Sequence, residues 1–463
     1  MSMCKDDVFP VTRIHMGLTL LAEILERNGH TVRVVDFSFL THLAREGRSS
    51  VPSIAQVVRR FEPDVVGLSV FSYLYDECCT AIDQIAQATR APIILGGPHF
   101  AVFPSDFKDD HRVSYVLCGE AETEILGVVE RAQRREYPEF IRCRTPTPED
   151  IPFARLSVAD GHSELQHYQI QLSRGCPYHC TFCNVEQVAG RKLRKRSIET
   201  CLDEIVKVKR SHPNLELLVI TDDCPTADIQ RFKRFLVGVA ELDLGWDLWV
   251  DNVRANLLDE ELIDLFVAAG GSSLCLGTES GNEHVFSLIN KGERLDEIVE
   301  AAELIKNKGL GLGLCFVIGL PEDTLKRHRD SIRLAQRLKP DYVFWNMCIP
   351  WPNTQVHDWF AKNGEIGDQR NTGTLIDHRG NFSMPVASTK KFSRRQRVRA
   401  WLGANFETHV YFRHKRDLFK LLNLAFQYNA YGEFLYYLTR TYPLLVLRDL
   451  KTQARRAAYL IGR

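Results

Sequence analysis

The sequence has neither a long apolar run nor an excess of charge of one sign. No apolar run reaches the roughly 18 to 20 residues that a membrane-spanning helix requires. Lysine plus arginine and aspartate plus glutamate both total 59, so net charge does not draw the chain to nucleic acid or to an anionic membrane. Residues 1–10 also lack the basic and then apolar pattern of a signal peptide. These absences predict a cytoplasmic protein that binds neither nucleic acid nor a membrane.

A disulfide framework is also missing, although the chain has 13 cysteines. The number is odd and most of the cysteines are scattered, which argues against paired disulfides and for a reducing compartment. We interpret most of those outside one group of three as small core residues. At 463 residues, of which 44% are hydrophobic, the chain is long enough for two or three domains.

The group of three cysteines, Cys176, Cys180 and Cys183, follows a strand-like run at residues 167–172 with the spacing C-x3-C-x2-C. Thiolates suit a soft metal centre, and a four-iron cluster normally takes four cysteine ligands. Three ligands would leave one iron open to a group that is not protein. A zinc site that uses His179 as its fourth ligand, or three ordinary buried cysteines, are the alternatives.

Strand-like and helix-like segments alternate before residue 122, which predicts a doubly wound parallel sheet. No β-branched apolar run precedes the first helix, so a first strand is not expected within residues 1–14. Ligands of such sheets bind at the carboxyl ends of the strands, where Ser69, Gly96, Gly97, Gly119 and Glu120 fall. The predicted helices cover residues 17–28, 54–61 and 76–89, and the predicted strands cover residues 32–36, 64–70, 92–97 and 113–118.

Six further strands alternate with helices after residue 166 and predict a (β/α)6 partial barrel. In such barrels the active site lies at the carboxyl ends of the strands. The predicted strands are residues 167–172, 215–221, 246–250, 273–277, 312–318 and 342–348. The predicted helices are residues 197–212, 227–240, 259–269, 295–308 and 322–338.

Polar residues follow these strands at the predicted rim of the barrel, namely Asp222, Asp223, Arg254, Glu279 and Glu322. Any one acid could instead cap a helix, as Asp223 and Glu322 could. Because all five come at strand ends of one barrel, we interpret them as a site.

Residues 356–463 are patterned as helices and are interpreted as a cap that closes the open side of the barrel. Their basic run at residues 390–397 is expected to be a solvated face. The less favoured alternatives are a platform for a substrate that carries carboxylates or phosphates, and contact of residues 444–460 with a membrane surface. The predicted domains are therefore residues 1–150, 151–355 and 356–463.

The C-x3-C-x-aromatic-C loop and the polar strand ends resemble those of radical S-adenosylmethionine (radical SAM) enzymes, over roughly residues 17–355. The resemblance implies that Cys176, Cys180 and Cys183 bind a [4Fe–4S] cluster whose open iron is chelated by S-adenosylmethionine. It further implies reductive cleavage to a 5′-deoxyadenosyl radical, with electrons from an external reductant of the flavodoxin or ferredoxin type.

The same resemblance implies roles for the rim residues. Phe182 would pack near the adenine, and Asp222 or Asp223 would bind the methionyl amino group. Arg254 would bind the methionyl carboxylate with its planar fork, and Glu279 would accept hydrogen bonds from the ribose. The segment 317–322, with Ile318 and Glu322, would bind the adenine.

The first region contains a Gly29-His30 pair before residues 32–36 and the motifs Gly96-Gly97-Pro98-His99 and Gly119-Glu120-Ala121-Glu122. In these features it resembles the cobalamin-binding domain that precedes many radical SAM enzymes, although Asp-x-His-x-x-Gly is absent. The resemblance implies methylation of an unactivated carbon in a small-molecule or natural-product substrate. Two alternatives remain: a radical SAM dehydratase, cyclase or rearrangement enzyme with a relict first domain, and a non-catalytic metal module. The implied cobalamin-binding residues are Ser69, Gly96, Gly97, His99, Gly119 and Glu120.

Four other cysteines lie on or beside predicted barrel strands: Cys224, Cys275, Cys315 and Cys348. We interpret them as core thiols. The alternative is that one of them donates a hydrogen atom to a substrate radical.

Overall fold

A computed structural model describes residues 13–136, 139–250, 252–371, 384–408 and 418–441. Its N-terminal region contains a parallel sheet whose four strands are neighbours in chain order. The strands are β1 (Val66–Ser69), β2 (Ile93–Gly96), β3 (Tyr115–Cys118) and β4 (Glu139–Arg142).

Helices cover both faces of this sheet, which confirms the predicted α/β layering. Apolar side chains of α3 and α4, such as Val58 and Ile82, pack on one face, whereas Val128 of α6 belongs to the core on the other face. The helices are α1 (Met16–Arg27), α2 (Phe37–Arg45), α3 (Ile54–Phe61), α4 (Tyr75–Ala88), α5 (His99–Val102) and α6 (Ile125–Gln133).

The prediction of a strand at residues 32–36 is wrong. This segment makes one isolated parallel bridge, between Val34 and Ala159. Within the described ranges, β1 pairs with β2 alone, and a cavity of about 560 Å³ lies between β1 and residues 32–35. β-branched residues suit a strand, but a strand also needs a neighbour with which to pair. The expected lack of an earlier strand concerns mainly residues 1–12, which lie outside the described residues.

The six predicted barrel strands are confirmed. They form two parallel three-stranded sheets, joined by isolated bridges such as that between Val253 and Leu276. The first sheet contains β5 (His167–Ile170), β8 (Leu217–Ile220) and β9 (Asp247–Val250), and the second contains β10 (Ser273–Glu279), β11 (Gly311–Ile318) and β12 (Tyr342–Met347). The short pair β6 (Ser173–Arg174) and β7 (Arg194–Lys195) flanks the cysteine loop.

Helices between the barrel strands begin where polar side chains accept hydrogen bonds from the first turn, as Ser197, Asp259 and Thr324 do. The buried faces of these helices cover the strands from outside. They are α7 (Val185–Val188), α8 (Ile198–Ser211), α9 (Ile229–Glu241), α10 (Glu260–Ala268), α11 (Glu283–Ser287), α12 (Leu295–Asn307) and α13 (Leu325–Leu338).

The C-terminal region is helical, as predicted, and packs on the side of the barrel. Trp401 donates a hydrogen bond to the carbonyl of Trp345 at 2.9 Å. The expectation that residues 390–397 are a solvated basic face is wrong for Arg397, which is buried and donates to the carbonyl of Gly319. The elements are α14 (Gln355–Asn363), β13 (Glu365–Ile366), β14 (Ala387–Ser388), α15 (Arg394–Thr408), α16 (Leu418–Gln427) and α17 (Tyr431–Thr441).

Among the described helices, none combines the length and the apolar character that crossing a membrane requires. The segment 444–460, for which membrane contact was the alternative, lies outside the described residues.

Gly97 is expected to be intolerant of a side chain. Its φ is +108°, and an added Cβ would lie 2.7 Å from the backbone nitrogen and oxygen of Val70. We expect Gly97→Ala to lower the free energy of unfolding by about 2 to 3 kcal/mol, measured by urea denaturation. Gly127→Ala, at an open position in α6, is the control and should raise it by about 0.5 to 1 kcal/mol. Equal changes in both variants would contradict this account.

Candidate functional site

A cavity of about 650 Å³ opens at the carboxyl ends of the barrel strands. The three cysteines of the loop lie in its wall, together with aromatic and charged side chains. These residues are Cys176, Cys180, Cys183, Tyr178, Phe182, Asp223, Arg254, Glu279 and Lys291. The structure therefore brings together most of the rim residues that the sequence predicted.

The loop is held against the end of β8 by two adjacent carboxylates. Asp222 accepts hydrogen bonds from the amide of Leu172 at 2.7 Å and from the hydroxyl of Ser173 at 2.5 Å. Asp223 accepts from the amide of Gly175 at 2.8 Å. These bonds fix the backbone immediately before Cys176.

The arrangement of the cysteines fits a cluster better than a single zinc ion. Within the described part of the chain, no three His, Cys, Asp or Glu side chains are placed to hold one metal ion. A tetrahedral zinc site requires its ligands to converge on one point, whereas each cysteine of a four-iron cluster binds a different iron. His179 is exposed and belongs to no such group among the described residues. The three soft donors around one cavity therefore suit a [4Fe–4S] cluster.

The two aspartates at the end of β8, which the sequence could not distinguish, differ in position. Asp222 is buried behind the loop, and this burial raises its pKa to about 6. Asp223 lines the cavity, and partial burial raises its pKa as well. Asp223 is therefore the carboxylate available to a cation in the cavity.

Arg254 is held rigidly in the cavity wall. It donates to the carbonyl of Lys291 at 2.7 Å, and its guanidinium carbon lies 3.7 Å from the centroid of the Tyr178 ring. Its buried Nε makes no hydrogen bond among the described residues, but it lies 4.0 Å from the carboxylate of Glu293. The guanidinium is therefore held in the cavity wall as a fixed positive charge, which suits an anionic ligand group.

Sequence reasoning missed an ion cluster beside Glu279. The ammonium of Lys291 lies 3.1 Å from Glu279 and 3.1 Å from Glu293, and all three residues are buried. The two carboxylates raise the pKa of Lys291, which opposes the effect of its burial. Lys291 and Glu293 lie in the loop between α11 and α12, outside any predicted strand end, so no sequence signal indicated them.

Two residues of the predicted adenine segment lie outside the cavity lining, and their contact with the adenine remains a prediction. Ile318 is fully buried in the core, and Val317 lines the cavity instead, because successive side chains of β11 point to opposite faces. Glu322 lies away from the cavity, 3.7 Å from Arg327 and 3.7 Å from Lys391. The neighbouring Asp323 is the buried acid, and it accepts a hydrogen bond from the amide of Gly319.

Asp323 should make stability depend on pH. Burial raises its pKa from 3.8 to about 6, so the folded state binds the proton more tightly than the unfolded state. Its contribution to the free energy of unfolding therefore falls as pH rises from 4 to 6, by about 2 kcal/mol. Burial also raises the pKa values of Asp222 and Asp36 to about 6, so these residues add declines of the same sign. We expect the decline in urea titrations to be about 2 kcal/mol smaller in Asp323→Asn than in the wild type, whereas Glu322→Gln should retain it in full. A wild-type decline that persists unchanged in Asp323→Asn would contradict this assignment.

Three of the four additional thiols, Cys224, Cys275 and Cys315, line the cavity. Cys315 accepts a hydrogen bond from the side-chain amide of Asn346 at 3.0 Å. Cys348 is buried at the end of β12, as a core thiol would be. Cys224 is as buried as Cys348, so the interpretation as inward-facing core thiols agrees with both, and hydrogen donation by Cys275 or Cys315 remains a prediction.

The predicted cobalamin-binding residues lie at the carboxyl edge of the first sheet. Ser69 ends β1 with its hydroxyl 3.1 Å from the imidazole of His15, and Gly96 ends β2 beside it. The missing side chain of Gly97 allows this turn to approach Val70 closely. With small residues at these positions, the backbone at the carboxyl ends of β1 and β2 is accessible to a ligand.

His99 is engaged inside the first domain. Its two ring nitrogens lie 3.0 Å from Ser72 and 3.1 Å from Asp106, and its side chain is fully buried. Burial lowers its pKa. The imidazole therefore orders the turn after β2, and its contact with cobalamin remains a prediction.

Gly119 and Glu120 follow β3 at the same edge. Gly119 has a φ of +112°, which favours glycine. The carboxylate of Glu120 is paired with Arg174 and Arg194 of the second domain. Its direct contact with cobalamin also remains a prediction.

Comparisons with known proteins match both halves of this architecture. The family model described as the radical SAM superfamily matches residues 170–335, and that of a B12 binding domain matches residues 9–129. An uncharacterized methyltransferase of Pyrococcus horikoshii is 24% identical over 376 residues, which cover 75% of this chain and 78% of the relative. An anaerobic magnesium-protoporphyrin IX monomethyl ester cyclase of Rubrivivax gelatinosus is 25% identical over 75% of this chain and 66% of its own length.

A solved structure shares the fold over most of the chain. It is the radical S-adenosylmethionine methyltransferase TsrM from Kitasatospora setae, with tryptophan substrate and a SAM analog bound. The TM-score is 0.64 at 17% sequence identity, and the alignment covers 85% of each chain. At this identity the similarity establishes the fold alone.

Proposed function

The chain belongs to the radical SAM superfamily and carries a B12-binding domain before its barrel, and from this premise we propose that it methylates an unactivated carbon of a small-molecule substrate. The predicted family and the α/β fold class are confirmed. The order of the two matched regions agrees with the proposed domains at residues 1–150 and 151–355, and residues 356–463 are proposed as the third.

One observation carries the proposal. The three cysteines line one cavity together with Asp223, Arg254 and Glu279, which suit an ammonium, a carboxylate and ribose hydroxyls. When bound, the cluster would supply the electron that cleaves S-adenosylmethionine to a 5′-deoxyadenosyl radical, and cobalamin would supply the methyl group. An external one-electron reductant of the flavodoxin or ferredoxin type would deliver electrons.

The residues of the cavity have distinct proposed tasks. Asp223 accepts from the methionyl ammonium, and the guanidinium of Arg254 donates to the methionyl carboxylate. Glu279, fixed by Lys291, accepts from the ribose. Phe182 and Val317 provide apolar surface for the adenine and exclude water from the site.

A second candidate is a cobalamin-independent radical SAM cyclase, dehydratase or rearrangement enzyme. The cavity between β1 and residues 32–35 favours it, because the first sheet lacks a paired strand beside β1 among the described residues. The relative from Rubrivivax gelatinosus is itself named as a cyclase.

Isotope-labelled S-adenosylmethionine separates the two candidates. Reconstituted protein is incubated anaerobically with hydroxocobalamin, a reductant and S-adenosylmethionine that carries a CD3 group. Methylation predicts a tightly bound corrinoid that acquires the CD3 label, with formation of S-adenosylhomocysteine. Formation of 5′-deoxyadenosine without corrinoid binding or label transfer would refute the methylation proposal and support the second candidate.

A further inference from the structure

We propose that Arg174 is a positioning residue that sets the distance between the cobalamin-binding domain and the cysteine loop. This inference rests on the proposed function, because it concerns the spacing of the two cofactors. Arg174 directly precedes Gly175 and Cys176, yet its side chain leaves the barrel and reaches the first domain.

The contacts of Arg174 join the two domains at their ligand edges. Its Nη1 lies 2.7 Å from a carboxylate oxygen of Glu120 and 2.7 Å from one of Glu122. Both glutamates follow β3, at the carboxyl edge of the first sheet where a ligand is expected. Its Nε donates to the side chain of Gln171 at 3.0 Å, which fixes the stem of the guanidinium.

A second arginine reinforces the same contact. Arg194, on the strand that pairs with Arg174, donates to Glu120 at 2.8 Å and to the carbonyl of Pro146 at 3.0 Å. Pro146 belongs to the linker between the two domains. Glu120 therefore accepts from two arginines of the barrel domain, and the linker is held by the same cluster.

Because the cluster is buried, it restricts the relative position of the two domains more than a surface ion pair would. The side chains of Arg174 and Arg194 are only 10% and 8% exposed, and that of Glu122 is 6% exposed. Buried charges require well-placed partners, since an unpaired charge away from water is strongly unfavourable. The two domains are thus held in one relative position rather than in a range of positions.

The residues on either side of Arg174 attach the cysteine loop to the barrel rather than to the first domain. Ser173 and Gly175 are bonded to Asp222 and Asp223 of the barrel, so the loop is fixed to the barrel on both sides of Arg174. A displacement of Arg174 relative to Glu120 and Glu122 would consequently move the first domain against the whole cysteine loop. The backbone of the loop would keep its own anchors.

Two conservative variants test this role. Arg174→Lys keeps the charge but loses the fork that contacts Glu120 and Gln171, and Glu122→Gln removes one charged partner. Arg134→Lys, which alters an exposed pair with Glu136 in the first domain, is the matched control. Each holoenzyme is prepared with a reduced [4Fe–4S] cluster and cob(II)alamin, and the distance between the two spins is measured by pulsed EPR.

We expect both variants to bind the two cofactors in full and to show unchanged individual EPR spectra, with a broader distribution of distances than the wild type and the control. The rate of S-adenosylhomocysteine formation should fall by about 10- to 100-fold, because a displacement of about 1 Å can have such an effect. A role in folding alone would lower the unfolding temperature without changing the distances.

Distances identical to those of the wild type in both fully loaded variants would overturn the proposal. Loss of a cofactor from both variants would also overturn it, since Arg174 would then serve binding rather than spacing. Failure of the wild type itself to bind a corrinoid would be a failure of the proposed function, and the wild-type sample alone reveals it.

Discussion

Cys176→Ala is expected to lower reductive cleavage of S-adenosylmethionine by at least about 10³-fold, equivalent to about 4 kcal/mol in activation free energy. The reason is that a cluster held by three protein thiolates loses one of its iron ligands. Cys180→Ala and Cys183→Ala should have the same effect. The measurements are 5′-deoxyadenosine formation with dithionite as reductant, and the iron and sulfide content of the reconstituted protein.

Cys201→Ala provides the control for these three variants. Cys201 is a buried cysteine on α8, outside the cavity. Its replacement should leave the iron content and cleavage rate near the wild-type values. Wild-type cleavage by Cys176→Ala, or equal losses in all four variants, would contradict the assignment of the loop as the cluster site.

Asp223→Asn is expected to lower kcat/KM for S-adenosylmethionine by about 10- to 100-fold. The amide oxygen can still accept from Gly175, so the variant mainly removes the negative charge facing the cavity. A hydrogen bond to a charged group contributes about 1.5 to 3 kcal/mol, which corresponds to that change in rate. The initial rate of 5′-deoxyadenosine formation at several S-adenosylmethionine concentrations measures it.

Asp222→Asn is the matched control, since the two aspartates are adjacent but only Asp223 faces the cavity. Its amide oxygen can accept from Leu172, and the hydroxyl of Ser173 can reverse its direction. We expect kcat/KM to remain within about threefold of the wild type. A larger loss in Asp222→Asn than in Asp223→Asn would show that the roles of the two aspartates are reversed.

The barrel was predictable because each of its strands is a short apolar run followed by polar residues. Chain order and the rule that sites lie at carboxyl strand ends then placed Asp223, Arg254 and Glu279 together, and all three line the cavity. The cysteine loop was visible from spacing alone. These features depend on local sequence and on one rule of topology.

The remaining features depend on tertiary contacts. The alternation of side chains along β11 places Val317 rather than Ile318 in the cavity wall, and Glu322, which has a φ of +60°, lies outside that wall. Residues 32–36 have strand composition but no described partner strand beside β1. The pairing of Lys291 with Glu279, and of Arg174 with the first domain, joins residues that no sequence spacing relates.

The most direct test of the central claim is EPR spectroscopy of the reduced, reconstituted protein with and without S-adenosylmethionine. The claim is that three cysteines hold a [4Fe–4S] cluster whose open iron binds S-adenosylmethionine in the barrel cavity. We predict a [4Fe–4S]⁺ signal that shifts on addition of S-adenosylmethionine in the wild type, and a shift that requires a higher concentration in Asp223→Asn. A protein that incorporates zinc rather than iron, or a cluster signal that S-adenosylmethionine leaves unchanged, would contradict the account.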